Sequence, residues 1–225
     1  MIDFDLLVDR ARALVADGGR AVLGITGAPG AGKTTLAEEL LAALAPDPPA
    51  VLPPFDWVAH VPMDGFHLAD AELDRLGRRA RKGAPDTFDA LGYAALLRRL
   101  REDVDDMIYA PGFERTLEQP IAGAIGVPRA ARLIVTEGNY LLLDADGWSG
   151  VRPVLDEVWY VDLGPAERLR RLVERHVRFG KDERAALAWA TGTDEHNAAI
   201  IARTKARADL VVPADLMHRL GAPPP

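Results

Sequence analysis

Cysteine is absent from the 225 residues, which excludes a disulfide, a thiolate metal site and a thiol nucleophile. No run approaches the roughly 18 uninterrupted apolar residues that a spanning helix needs, so the pattern excludes a membrane protein. Basic residues are the minority sign: 27 Lys and Arg against 34 Asp and Glu leave a formal net charge of −7. That balance argues against a general nucleic-acid binder, whose phosphate contacts need clustered cations. An export signal is missing too, because Met1-Ile2-Asp3-Phe4-Asp5 is acidic where a secretory leader is basic, and cytoplasm is the expected compartment. No internal repeat is visible. What remains is an ordinary globular composition, 48% hydrophobic and 27% charged, in a length suited to one domain with a mobile lid.

One stretch organises the chain. Gly27-Ala28-Pro29-Gly30-Ala31-Gly32-Lys33-Thr34-Thr35 fits the phosphate-loop pattern G-x-x-x-x-G-K-[ST] without a gap. Ala21 to Thr26 ahead of it reads as a buried strand, and Thr34 to Leu44 behind it carries apolar residues at helical spacing. Glycines let backbone N–H groups close on a phosphate at a helix N-terminus. Lys33 then offers a mobile positive charge to the β- and γ-phosphates, and the Thr34 hydroxyl is positioned to hold Mg²⁺. ATP and Mg²⁺ are the expected cofactors.

Strand and helix patterns alternate along the rest of the chain. Asp3 can cap a first helix carrying Leu7, Ala11, Leu14 and Val15 on one face, ending at Gly18-Gly19. The run Trp57 to Met63 predicts a second strand delivering Asp64-Gly65-Phe66-His67 at its C-terminal end, where ligands bind in an open parallel sheet. Residues 68–90 are polar and broken, with Arg75, Arg78, Arg79, Arg81 and Lys82; they read as a substrate flap over an anionic pocket or as a solvated face. Asp89 can cap the next helix, with Leu91, Ala95, Leu97 and Leu100. Met107 to Arg115 reads as a short extended piece ending in a Pro111-Gly112 turn, a candidate site loop. Ala131 to Thr136 leads as a strand into Glu137-Gly138-Asn139-Tyr140, and Glu157 to Asp162 is a further strand. Pro165 opens a helix with Arg171, Arg175 and Arg178 on one face, and Phe179-Gly180-Lys181 supplies a hinge, so residues 165–185 read as a lid. A last helical stretch from about Asp182 to Arg207 precedes Leu210-Val211-Val212 as an edge or final strand, and Gly221 to Pro225 reads as an unstructured tail. The expected fold is α/β, a parallel sheet covered on both faces with its first strand central.

Phosphoryl transfer needs a proton acceptor and charge stabilisation besides the cradle. Asp64 can take the proton of a substrate hydroxyl, and Glu137 can hold Mg²⁺ directly or through water; the residues alone leave the two roles exchangeable. Lys33, Arg171 and Arg175 can meet the developing negative charge. His67 can hydrogen-bond the acceptor, with Asn139 and Tyr140 beside it as further substrate-binding candidates.

With those motifs in order, the chain from about Ala21 to Val212 resembles the phosphoribulokinase, uridine kinase and pantothenate kinase family, and within it a bacterial branch described as nucleoside or nucleotide kinase-like. The resemblance implies a three-layer α/β/α P-loop nucleoside triphosphate hydrolase fold, nucleoside monophosphate kinase-like, around a central parallel sheet of about five strands with a helical lid. It implies that Asp64 is the catalytic base, that Lys33 and Thr34 serve ATP and Mg²⁺, that Arg171 and Arg175 belong to the lid, and that Tyr109 and Arg115 face the acceptor. Phe66-His67 departs from the aromatic pair common in uridine kinases, and the chain is shorter than typical pantothenate kinases and phosphoribulokinases. Asn197 and Arg203 are expected near the adenine. The expected partner is a small-molecule hydroxyl substrate, such as a nucleoside, sugar or pantothenate-like alcohol, with no nucleic acid, no membrane and a homodimer open. The rival readings are a nucleotide-dependent switch or ATPase acting on a protein partner, and a P-loop protein acting on nucleic acid through the Arg75 to Lys82 cluster.

Overall fold

The computed structural model describes residues 2–53, 55–145 and 147–220. Helix α1 (Phe4–Ala13) starts where the Asp3 side chain accepts from the Leu6 N–H, so the expected cap forms. Strand β1 (Ala21–Gly27) runs into the phosphate loop and then helix α2 (Lys33–Leu44). Strand β2 (Val58–His60) is shorter than the run Trp57 to Met63 predicts. Val61 still donates to Val135 O at 2.9 Å, but Pro62 has no N–H to continue the ladder. The chain then tightens into a 3₁₀ turn, Met63–Phe66.

Residues 68–90 hold helix α3 (Asp70–Arg75) and two further 3₁₀ turns before helix α4 (Ala90–Glu102), capped by Asp89 through the Gly92 N–H. Next comes a departure from strict alternation. Strand β3 (Met107–Glu114) passes straight through Pro111 and Gly112, where a turn is expected, and pairs antiparallel with strand β4 (Gln119–Pro128). The register slips between Ala110 and Gly112. Proline is tolerated there because a two-stranded ribbon has free edges and a bulge interrupts the ladder.

Strands β5 (Leu133–Gly138) and β6 (Glu157–Asp162) follow, then helix α5 (Pro165–Arg178) with proline at its first turn. The stretch expected as one last helix is broken into α6 (Glu183–Trp189), a π turn (Ala190–Asp194) and α7 (Glu195–Ala202). Strand β7 (Leu210–Pro213) and helix α8 (Ala214–Leu220) close the described chain; the expected unstructured tail lies outside the described residues.

The main sheet is parallel, in the order β2-β5-β1-β6-β7, so β1 is central and β7 is an edge as expected. Side chains alternate across it with period two. Val22, Ile134 and Val158 face a core with Met63, Tyr93, Leu97 and Trp148. Leu23, Val135 and Trp159 face the opposite core with Leu7, Leu36, Leu40 and Met217. Helices therefore cover both faces of one sheet, a three-layer α/β/α arrangement. Each fully buried leucine contributes on the order of 1.5–3 kcal/mol, which fixes the sheet and with it the three strand ends that carry the site.

Candidate active site

The phosphate loop is held open by its glycines and braced from behind. Gly30 has φ +77°, and a Cβ there would lie 2.8 Å from both Arg168 O and Leu172 Cγ, so only glycine fits. Arg168, buried on α5, donates from Nη1 to Pro29 O at 3.1 Å and from Nη2 to Glu195 Oε2 at 3.1 Å. Nothing local in the sequence marks Arg168 as special. Its role comes from contacts with a loop 139 positions earlier and a helix 27 later.

At the end of the loop the Lys33 ammonium is buried and donates to Ala28 O at 3.2 Å. Burial lowers its pKa to about 8 against the raising effect of Glu137 and Asp64. Thr34 Oγ1 donates to Glu137 Oε1 at 3.1 Å. The parallel register sets Ile25 of β1 opposite Glu137 of β5, so both residues emerge at the C-terminal end of the sheet. Burial raises the Glu137 pKa to about 7, and the Asp64 charge adds to that, while Lys33 and the Thr34 hydroxyl oppose it.

Asp64 sits on the 3₁₀ turn after β2, with Arg115 Nη2 3.6 Å from its Oδ2. His67 Nδ1 lies 2.8 Å from Asp64 O, and its ring packs 3.9 Å from Phe88 and 4.9 Å from Phe113 between centroids. Burial pushes the His67 pKa down against the pull of the Asp64 carboxylate. Gly65 explains how the turn meets the ribbon: a Cβ there would fall 2.2 Å from Pro111 O. The Asp-Gly-Phe segment and the β3–β4 ribbon are thus pressed together, which brings Arg115 to Asp64.

Lys33, Thr34, Asp64, His67, Arg115, Glu137, Asn139 and Arg175 line one cavity of about 530 Å³ together with Pro29. Other expected site residues stand outside its lining. Arg171 is turned to Glu167, with Nε 2.8 Å from Oε1. Tyr109 is exposed on β3, and Tyr140 is buried with its hydroxyl donating to Gly83 O. Arg203 is exposed on the surface. Asn197, by contrast, is part of the lining, and its side chain reaches Gly83 in residues 68–90. Glu118, Trp189 and Asp194 are cavity walls that no sequence pattern singled out, and Gly83 and Phe88 within residues 68–90 and His176 within residues 165–185 join them in the lining. His176 Nε2 and Asp194 Oδ2 meet at 2.7 Å across the junction of α5 and the π turn, a pairing no local pattern announces.

The donor set suits a phosphate ligand with its cation. Thr34 hydroxyl and Glu137 carboxylate are hard oxygen donors of the kind Mg²⁺ takes while keeping waters and phosphate oxygens. Among the described residues no helix is long and apolar enough to cross a membrane.

No family model matches the sequence. A protein of Schizosaccharomyces pombe, provisionally named a uridine kinase, is 31% identical over 215 residues, covering 93% of this chain and 89% of that one. An ATP-dependent kinase-like protein of Aspergillus versicolor is 33% identical over 162 residues, 68% of this chain and 94% of its own. A crystal structure from Silicibacter sp. TM1040, provisionally described as a fructose transport system kinase, superposes with a TM-score of 0.82 at 36% identity, covering 95% of this chain and all of that one. With the phosphate loop on the central strand β1, Glu137 at the end of its neighbour β5 and Asp64 after β2 one strand further out, this chain belongs to the phosphoribulokinase, uridine kinase and pantothenate kinase family and is an ATP-dependent P-loop kinase.

Proposed function

We propose that the protein transfers the γ-phosphoryl group of ATP to a hydroxyl of a small metabolite, of the nucleoside, sugar or pantothenate-like alcohol class. The observation that carries this reading is the meeting of Lys33, Thr34, Glu137 and Asp64 in one cavity, although they come from three separate segments of the chain. Asp64 takes the proton of the acceptor hydroxyl as its oxygen bonds to the γ-phosphorus and the bond to the ADP oxygen breaks. Arg115, 3.6 Å away, keeps that carboxylate oriented toward the acceptor. Lys33 and Arg175 stabilise the charge that develops on the transferred group. Thr34 and Glu137 would hold Mg²⁺, which supplies charge neutralisation on the β- and γ-phosphates.

On this reading residues 1–225 work as one kinase domain. Residues 68–90 are the flap over the acceptor and residues 165–185 the lid, hinged at Phe179-Gly180-Lys181, where Gly180 has φ +97°. Arg175 is the lid cation facing the cavity, while Arg171 braces the outer wall of the phosphate loop beside Gly32. The Arg75 to Lys82 cluster serves the flap rather than nucleic acid: Arg75, Arg79, Arg81 and Lys82 are each paired with a carboxylate of the same segment. Those pairings leave little free charge for a phosphate backbone.

The test is ATP consumption by the purified protein with Mg²⁺ against nucleosides, sugars, pantothenate and related alcohols. Turnover well above the acceptor-free rate for one compound, with a phosphorylated product, supports the reading. Slow hydrolysis indifferent to every acceptor would instead favour a nucleotide-driven switch.

A further inference from the structure

Three segments carry the kinase groups: the phosphate loop after β1, Glu137 near the end of β5 and Asp64 on the turn after β2. The backbone ladder that aligns these segments stops short of Asp64. On the β2 side it ends with the Val61 N–H, because Pro62 has no N–H to continue it. Beyond that point the main chain alone does not set how far Asp64 stands from Glu137.

Buried threonine hydroxyls take over there. Thr136, 0% exposed and immediately before Glu137, donates from Oγ1 to Val61 O at 2.5 Å. A hydroxyl has one proton and a carbonyl can only accept, so the Tyr93 hydroxyl, 2.6 Å from the same Oγ1, is the donor in that second contact. Tyr93 is itself buried on α4, which anchors the relay in the core. Thr26, also 0% exposed and immediately before Gly27, donates from Oγ1 to Gly138 O at 2.8 Å, with Asn139 O at 3.2 Å. Hydroxyls therefore tie β1 to the end of β5, and β5 to the chain that leads from β2 into Asp64. A buried hydroxyl held from both sides keeps one orientation, and it pins the two segments it touches.

We propose that Thr136 is a positioning residue for phosphoryl transfer: with Tyr93 behind it, its hydroxyl fixes the spacing between the Asp64 carboxylate and the Glu137 carboxylate, so that proton acceptor and metal ligand meet the same phosphate. The inference rests on the kinase reading of Asp64 and Glu137. A displacement of about 1 Å in such a constellation is enough to cost on the order of 100-fold in rate.

The experiment compares wild type, Thr136→Val and Thr136→Ser in two measurements: kcat and KM for ATP at saturating Mg²⁺, and the Mg²⁺ concentration at half-maximal binding of a non-hydrolysable ATP analogue by calorimetry. Thr136→Val is expected to lower kcat at least about tenfold with KM within about twofold, and to raise the half-saturating Mg²⁺ at least about threefold. Thr136→Ser restores the hydroxyl and is expected to recover both. Thr204→Val is the control for loss of a buried hydroxyl as such: Thr204 Oγ1 donates to Ile201 O at 2.7 Å, away from the cavity lining. It is expected to melt lower than wild type and to keep its kcat and its Mg²⁺ curve. If Thr136→Val does not fold, Tyr93→Phe decides, since it frees the Thr136 hydroxyl from its donor; kcat at least about threefold lower with KM unchanged is expected. The proposal is overturned if Thr136→Val, or Tyr93→Phe in its place, keeps the wild-type kcat or Mg²⁺ curve, if Thr136→Ser falls as far as Thr136→Val, or if Thr204→Val loses turnover equally. A wild-type protein that transfers to no acceptor removes the kinase reading instead, and the Mg²⁺ curve of Thr136→Val then still tests whether the hydroxyl places Glu137.

Discussion

Thr34 and Glu137 are 103 residues apart in sequence, and their side chains meet at 3.1 Å because β1 and β5 are parallel neighbours ending at the same level. A hydroxyl that donates to a carboxylate in the free protein can turn its lone pairs to a cation once one arrives. Glu137→Gln keeps the shape and removes the charge. Mg²⁺-dependent turnover is expected to fall about 100-fold or more, with a higher Mg²⁺ concentration at half-maximal rate. A Mg²⁺ titration of steady-state rates checks this, and an unchanged titration curve would take Glu137 out of the metal site.

Asp64→Asn separates chemistry from binding. The amide cannot accept the hydroxyl proton, so kcat is expected to drop by about 10²–10⁴. Asp64 is not on the phosphate loop, so the ATP dissociation constant is expected to stay within about twofold. Rapid-quench turnover and nucleotide titration on the same preparation measure the two quantities. Loss of ATP affinity in a folded Asp64→Asn protein would contradict the division of labour.

Glu137 also makes stability depend on pH. Burial and the Asp64 charge lift its pKa from 4.5 to about 7 in the folded protein. Between those values the folded state holds a proton that the unfolded chain has released, so metal-free protein loses stability as pH rises from about 4.5 to 7. The loss is on the order of 3 kcal/mol. Lys33 acts the other way: its pKa is lowered from 10.5 to about 8, so its contribution recovers as pH rises through that range. Urea unfolding of wild type and Glu137→Gln in a chelator at pH 5, 6 and 7 isolates the carboxylate. The difference between the two proteins is expected to grow toward pH 7, and parallel curves would refute the linkage.

The parts of this molecule legible in its sequence are those whose signal is local. The phosphate loop needs contiguous residue types, the caps at Asp3 and Asp89 lie three residues from their targets, and β1, β5 and β6 are each built around a short apolar run. The β3–β4 ribbon was illegible because Pro111-Gly112 is a turn signal that a bulged ribbon with free edges overrides. Tyr140 follows Glu137 closely enough to suggest the substrate, yet its ring is packed against Phe88 and Trp148 and its hydroxyl is taken by Gly83. Arg168 and Asn197 look like ordinary helix residues, and only the packing of α5 and α7 against distant loops gives them partners.

Arg168→Met tests the brace behind the phosphate loop. It strips the buried Pro29 carbonyl of its donor and leaves Glu195 without its partner, at a cost of about 1–3 kcal/mol. For a chain of this size that is a fall in Tm of about 2–4 °C per kcal/mol. ATP affinity is expected to weaken as well, since a freed loop must be ordered by the ligand. Differential scanning calorimetry with and without ATP checks both, and a stability loss with unaltered ATP affinity would confine Arg168 to packing.

Gly65→Ala probes the contact that joins Asp64 to the ribbon. The added Cβ would meet Pro111 O at 2.2 Å and its carbonyl carbon at 2.6 Å, both backbone atoms that cannot swing aside. Either the 3₁₀ turn or β3 must move, and overpacking of this kind costs about 1–3 kcal/mol. The displacement falls on the two segments that carry Asp64 and Arg115, so kcat is expected to drop more than the stability loss alone implies. Gly164→Ala is the matched control: nothing lies within 4 Å of its added Cβ and its φ is −59° at the N-cap of α5, so the weaker N-cap preference of alanine and its smaller unfolded-state entropy oppose each other and a net change of under about 1 kcal/mol is expected. Melting curves and turnover of both variants decide the matter. If Gly65→Ala turned over acceptor at the wild-type rate, the turn and the ribbon would not set the geometry at Asp64.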